Sequence, residues 1–241
     1  MKLTSNDVQE LRTAFAVCKT AGIDAVVITD NQVRGVSPSS KMAIITKVNL
    51  SVDPTIKLGI GRIAELEKRL SIFTSDVAIE GKVNGNNDVS VLNLAAGKSK
   101  VQFRCTAEKL IKYPKSNEDE PKCIIIASKA EVSQIARAVK TLGAETMTIA
   151  VQRDASVSVE CASSTNESFS TSLEALAIFE GDVQAFVHIY EGDRFATVLD
   201  AGIRDEDEIN LVVGDFGSIT LSIKGCTLMA MPEANQENDD E

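Results

Sequence analysis

The chain repeats itself from one half to the next, and this limits what it can fold into more than any other feature. A helical stretch from Ser5 to Ala21 places Leu11, Ala14, Cys18 and Ala21 at i, i+3, i+7 and i+10. It ends in Lys19-Thr20-Ala21-Gly22 and gives way to an apolar strand, Ala25-Val26-Val27-Ile28-Thr29. A shift that carries Cys18 onto Val139 brings the pattern back. Val132, Ile135, Val139 and Leu142 share one face, Lys140-Thr141-Leu142-Gly143 follows, and then comes the strand Thr146-Met147-Thr148-Ile149-Ala150. Each glycine stands where a helix C-terminus favours a left-handed residue, and the lysine before it complements the helix dipole. The period far exceeds the roughly 20–50 residues of solenoid repeats, so the chain reads as a duplicated domain. Two unrelated helix–strand units with common cap chemistry are the alternative.

At 241 residues there is room for two ordinary domains. Aromatics make up only 4% and Trp is absent, so both cores must be built from aliphatic side chains. The five cysteines (Cys18, Cys105, Cys123, Cys161 and Cys226) form an odd set without a close pair. That argues against a disulfide framework and against a CxxC metal site, and fits a reducing compartment. The start, Met1-Lys2-Leu3-Thr4-Ser5-Asn6-Asp7, lacks the apolar run of a signal peptide, and no stretch approaches the ~20 apolar residues of a membrane span. A cytoplasmic protein is expected, in the host cytoplasm if the chain is viral.

The formal net charge of −10 at first speaks against nucleic acid. Its placement changes that reading. Acidic residues gather at Glu118-Asp119-Glu120, at Asp205-Glu206-Asp207-Glu208 and in the tail Glu237-Asn238-Asp239-Asp240-Glu241, all read as solvated loops or tails. The helical segments differ. Residues 57–70 carry Lys57, Arg62, Lys68 and Arg69 against Glu65 and Glu67, and residues 129–142 carry Lys129, Arg137 and Lys140 against Glu131 alone.

The pattern predicts helices at 5–21, 57–71, 129–142 and 193–201, two in each half. Strands are expected near 24–30, 41–50, 75–82, 89–94 and 99–104, and again near 122–127, 145–151, 156–162, 168–178, 183–190, 208–214, 217–223 and 226–231. Short turns between them imply mainly antiparallel sheets with segregated helices, an α+β class. The polar, proline-flanked Tyr113–Pro121 stretch is the natural connector. The expected organisation is a first domain at 1–112, a connector at 113–121, a second domain at 122–232 and an acidic tail at 233–241.

Little in the sequence supports catalysis. The single histidine, His188, falls in the alternating run Val183–Tyr190, which a solvent-facing strand position explains. Without more histidines or paired cysteines a zinc site is not expected, and no cofactor is. Gly59-Ile60-Gly61-Arg62-Ile63-Ala64 matches the dinucleotide fingerprint, which would make the chain a nucleotide-binding enzyme. That chemistry needs a strand ending at the first glycine and a helix starting behind it. The periodicity instead puts both glycines inside a helix. On that helix Lys57, Gly61, Ala64 and Lys68 lie opposite Ile63, Leu66, Leu70 and Phe73, with Arg62 and Arg69 toward one flank. On the helix at 129–142, Arg137 points away from the buried face with Lys140 close by. Small residues beside Lys and Arg make a flat positive surface suited to sequence-independent phosphate contact. A merely solvated face is the plainer alternative for either helix.

Taken together, the chain resembles a DNA sliding clamp, the processivity factor of replicative polymerases, and in particular the two-domain kind of tailed phages. The likeness covers nearly the whole sequence. It rests on Met1-Lys2-Leu3 before the first helix, the order of elements in both halves, the connector at 113–121, and Cys226-Thr227-Leu228-Met229-Ala230-Met231-Pro232 followed by acidic residues. The resemblance implies two tandem copies of the DNA-clamp fold, antiparallel sheets outside and two helices per domain inside. It implies a non-catalytic homotrimeric ring around double-stranded DNA, loaded by an ATP-dependent clamp loader and bound by DNA polymerase in viral DNA replication. By similarity Arg12, Lys19, Lys57, Arg62, Lys68, Arg69, Arg137, Lys140 and Arg194 would face DNA. Asp193 and Asp200 weaken the contribution of the helix that carries Arg194. A partner peptide would sit on Val36, Leu110, Tyr113, Pro114, Met229, Met231 and Pro232. A clamp-fold protein acting as a monomer or open assembly is the second reading.

Overall fold

Both halves begin with a helix that closes its own N-terminus. In the first, the Thr4 hydroxyl accepts from the Asp7 amide at 3.2 Å and the Asp7 carboxylate accepts from the Thr4 amide at 2.7 Å. In the second, Ser128 and Glu131 make the same reciprocal pair, at 3.4 and 2.8 Å. Each capping box satisfies amides that would otherwise lack partners, and so fixes where the helix starts. At the far ends Gly22 and Gly143 adopt left-handed backbone, with φ of 69° and 59°. Both expected stop signals are present.

The computed structural model describes residues 1–73, 77–115, 119–152, 154–178, 185–204 and 206–233. Of the acidic tail at 233–241 only Glu233 is among them, and connector residues 116–118 lie outside them. The chain divides into two compact units, Met1–Asn117 with Lys224–Leu228, and Glu118–Ile223 with Met229–Glu241.

In the first unit, β1 (Lys2–Leu3) leads into α1 (Ser5–Thr20), followed by β2 (Val26–Thr29), β3 (Gln32–Val36) and β4 (Met42–Lys47). Then come β5 (Leu58–Ile60), α2 (Ile63–Leu70), β6 (Ala78–Val83), β7 (Val89–Ala96) and β8 (Ser99–Arg104), with a 3-10 turn at Glu108–Leu110. The second unit runs β9 (Pro121–Ser128), α3 (Lys129–Leu142), β10 (Thr146–Val151), β11 (Val157–Ala162) and β12 (Ser168–Ile178). It continues with β13 (Phe186–Glu191), α4 (Gly192–Gly202), β14 (Glu208–Gly214), β15 (Ile219–Ile223) and the end of β16 (Cys226–Ala230).

The duplication extends to pairing. Antiparallel β5-β2-β3-β4 in the first unit corresponds to antiparallel β13-β10-β11-β12 in the second. A second sheet, β1-β6-β7-β8, answers to β9-β14-β15. One bond repeats at the residue level. The Asp24 carbonyl accepts from the first amide of α2 (Ile63, 2.9 Å), and the Glu145 carbonyl accepts from the first amide of α4 (Gly192, 2.8 Å). Asp24 and Glu145 stand at matching positions, two residues past each capping glycine, so two unrelated units are not the explanation.

The apolar faces land where the periodicity put them. Leu11, Ala14 and Cys18 of α1 are buried, as are Val132, Ile135 and Val139 of α3. Leu11 and Phe15 meet Leu66 and Leu70 of α2 over Leu58, Ile60 and Leu92 around one small apolar cavity. Aliphatic side chains fill most of the core.

One helix differs from expectation. The segment expected as helical from residue 57 becomes α2 only at Ile63, and β5 occupies Leu58–Ile60. Gly59 is therefore a strand residue, and a β-carbon there would lie 2.0 Å from the Thr106 carbonyl oxygen. The chain uses glycine to let two backbones touch, and Thr106 donates its amide to the Gly59 carbonyl at 2.9 Å.

Candidate nucleic-acid interface

The outward surfaces of α1 and α3 are alike in chemistry. On α1, Gln9, Arg12, Ala16 and Lys19 are exposed at helical spacing and form one stripe. On α3, Ala130, Gln134, Arg137 and Thr141 form another, with Lys140 exposed beside it. Neither stripe contains a carboxylate. Between the cations stand alanines and short polar residues, which leave guanidinium and ammonium groups standing furthest from the helix axis.

Ion pairs sort the candidate cations into two classes. Lys19 Nζ lies 2.8 Å from Glu67, Lys68 Nζ 3.2 Å from Glu65, and Arg69 Nη1 3.1 Å from Glu65. The hydrogen bond from Lys68, the charge behind it and the bond from Arg69 hold the Glu65 carboxyl below its usual range. Arg69 also donates to the Glu65 carbonyl at 3.0 Å and sits over the Phe103 ring at 5.4 Å, so it fastens α2 to β8. Among the described residues, Arg12, Arg62, Arg137, Lys140 and Arg194 form no ion pair. These are the cations whose charge is uncommitted. Glu65 neutralises Lys68 and Arg69 at helical spacing, whereas the partners of Lys19 and Lys57 come from other elements, which spacing alone does not reveal.

Lys57 requires a correction. It precedes β5 rather than lying on a helix, and its ammonium is 2.6 Å from the Glu108 carboxylate. The Tyr113 hydroxyl donates to the same carboxylate. The hydrogen bond with Glu108 raises Lys57 above its ordinary range; in turn the bonds from Lys57 and Tyr113 lower Glu108. Lys57 thus belongs to a local polar cluster, apart from the α2 surface. On α4, Arg194 is half-buried, Asp193 is exposed and Asp200 binds Arg204 at 3.3 Å, so this helix offers little net positive surface.

The residues expected to meet a partner peptide divide between the two units. In the first, Leu110 is 72% exposed at the end of the 3-10 turn, and Val36, Tyr113 and Pro114 are half-buried. The connector's start is tied down at three places. Tyr113 bonds to Glu108, Lys112 Nζ is 2.8 Å from the Ser40 hydroxyl, and Arg34 Nη1 donates to the Lys115 carbonyl at 3.0 Å. In the second unit Met231 and Pro232 are half-buried, while Met229 is buried and offers no surface, contrary to expectation.

His188 is also not solvent-facing as expected. It is half-buried, its ring is 5.1 Å from that of Phe186, and a β-carbon on Gly217 would lie 2.6 Å from its ring atoms. Burial lowers its pKa, against the opposing charge of Asp119. The five thiols are free; burial pushes Cys105 up to about 12 and Cys123 and Cys161 to about 11. Among the described residues no group of His, Cys, Asp and Glu could hold a metal ion, and no helix is long and apolar enough to cross a membrane.

The dinucleotide motif is locally strand, bend and helix, closer to its requirement than the sequence suggested. Its phosphate position is nevertheless filled. Thr106 stands against both Gly59 and Gly61, and the first two amides of α2 already donate to the Asp24 carbonyl and, at 3.2 Å, its carboxylate. An anion would find the space beside the glycines taken by Thr106 and those two amides already engaged.

No protein-family model matches the chain, and no curated protein matches it. Solved structures do. The proliferating cellular nuclear antigen of Entamoeba histolytica superposes with a TM-score of 0.61 at 15% identity, over 97% of this chain and 98% of that one. A chain of the PCNA2–PCNA3 complex from Sulfolobus tokodaii gives a TM-score of 0.59 at 15% identity, over 97% and 99%. Identity this low speaks for fold alone, and the fold is that of a sliding clamp in two α+β copies.

Proposed function

We propose that this chain is a sliding clamp that encircles double-stranded DNA and tethers a DNA polymerase, conferring processivity without catalysis of its own. One observation carries the reading. In a chain of net charge −10, the outward stripes of α1 and α3 hold no carboxylate, and Arg12 and Arg137 on them and Lys140 beside them form no ion pair among the described residues. Contacts of this kind grip phosphates without reading bases, and water and salt readily compete for them. A tether that must move along DNA needs such a surface. A homotrimer opened by an ATP-driven loader, in the replication of a phage or other virus, is the form this function takes in the two-domain clamps the sequence resembles.

The deciding experiment is topological. Loaded on a nicked circle, the protein stays with DNA through gel filtration, and cutting the circle once releases it. Arg12→Glu with Arg137→Glu shortens polymerase run length while the melting curve is unchanged. Equal retention on circular and linear DNA overturns encirclement and favours a clamp-fold protein acting as a monomer or open assembly.

A further inference from the structure

The connector's start has the opposite charge to the protein as a whole. Lys109, Lys112 and Lys115 follow one another at three-residue intervals, all exposed, on either side of Leu110, which is 72% exposed. Glu108, the carboxylate next to Lys109 in the chain, is engaged by Lys57 and Tyr113. Lys112 leans on the neutral Ser40 hydroxyl, and Arg34, bound to the Lys115 carbonyl, keeps its own positive charge beside the segment. The tethers hold this stretch in one path, so its lysines and exposed leucine form a fixed pattern of an apolar anchor point with cations around it.

From this pattern we infer that the protein segment docking on the connector is acidic: an apolar anchor that seats on Leu110, flanked by Asp or Glu that meet Lys109, Lys112 and Lys115. The inference rests on the reading of this region as the partner-binding surface and names the class of partner. Apolar burial at Leu110 supplies the anchor, and the lysines select among anchors by charge. An exposed leucine within a lysine cluster disfavours a basic segment through like-charge repulsion and disfavours bare nucleic acid, which has no apolar group to cover it.

The test uses three synthetic peptides with one Leu-Phe anchor and flanks of Asp/Glu, Gln or Lys, titrated by fluorescence anisotropy against the full chain. The acidic peptide binds at least tenfold more tightly than the Gln peptide at low salt, and the gap narrows as salt rises. In K109E/K112E/K115E the order of acidic and basic peptides reverses, and in Leu110→Asp all binding falls at least tenfold. Circular dichroism confirms that both variants are folded. If the Gln or Lys peptide binds as tightly as the acidic one, the charge assignment is wrong while the docking surface stands. If no peptide binds, or if Leu110→Asp changes nothing, the docking reading itself fails. If a short DNA duplex displaces the acidic peptide and binds equally well to Leu110→Asp, the lysines are a phosphate contact and the proposal is overturned.

Discussion

Gly59 has no room for a β-carbon, and the consequence is energetic rather than catalytic. An added methyl would meet the Thr106 carbonyl oxygen at 2.0 Å, so β5 and the 105–107 segment would have to separate. Gly59→Ala is expected to cost about 1–3 kcal/mol, the usual range for overpacking, read as a lower denaturant midpoint. Asp7 illustrates a different single-residue role. Its side chain is buried, yet it accepts from the Thr4 amide and, across the unit, from the Ser51 amide at 2.7 Å each. Burial pushes its carboxyl up, but the hydrogen bonds from Thr4 and Ser51 outweigh it, and the net shift is downward. A carboxyl lowered in the folded state adds stability above its unfolded pKa and loses it as pH falls through the folded one. Asp7→Asn therefore lowers stability at pH 7 by about 1–3 kcal/mol. Its deficit against the native chain shrinks as urea melts are carried below pH 4, and a deficit independent of pH would rule out the ionised cap.

At the scale of elements, free and paired cations have different consequences. Arg12 and Arg137 lie on separate helices with no ion pair among the described residues, whereas Lys57 is locked to Glu108. Arg12→Gln and Arg137→Gln should each weaken DNA binding and lower the salt slope by about one contact, with melting temperature unaffected. Lys57→Gln should do the reverse, loosening the Glu108–Tyr113 cluster while leaving the salt slope alone. The elements themselves were unequally legible. Long periodic helices with capping boxes, such as α3, stood out because every local rule agreed on them. The hairpin β2–β3 carries no familiar sequence signal, because its two-residue turn uses Asp30 and Asn31, at φ of 52° and 54°, in place of Asn-Gly. α2 starts later than the periodicity predicts because Gly59 and Gly61 answer to Thr106, a contact distant in sequence that no local pattern encodes. For the same reason the neutralisation of Lys19 by Glu67 and of Lys57 by Glu108 was not legible, whereas Glu65 stands at i,i+3 and i,i+4 from Lys68 and Arg69, a spacing the sequence does show.

For the whole molecule, assembly turns on the free edges of its sheets. In the first unit β8 pairs with β7 and closes its four-stranded sheet, leaving its other edge without a strand partner among the described residues. An exposed edge is a template for another strand, and cyclic closure of identical chains removes it. Light scattering should then report three times the 25.8 kDa chain mass at micromolar concentration. A mass that stays at one chain throughout a dilution series would exclude a stable ring. The edge can be located with proline, which lacks an amide hydrogen. Successive amides along β8 point to opposite sides, so of Val101 and Gln102 one donates toward β7 and the other outward. Val101→Pro and Gln102→Pro are accordingly expected to differ in kind. The inward position loses a ladder bond and melts earlier, whereas the outward one stays folded, as edge prolines do, but falls to the mass of one chain. If both variants fold and both keep the mass of the native assembly, β8 is not where the chains join.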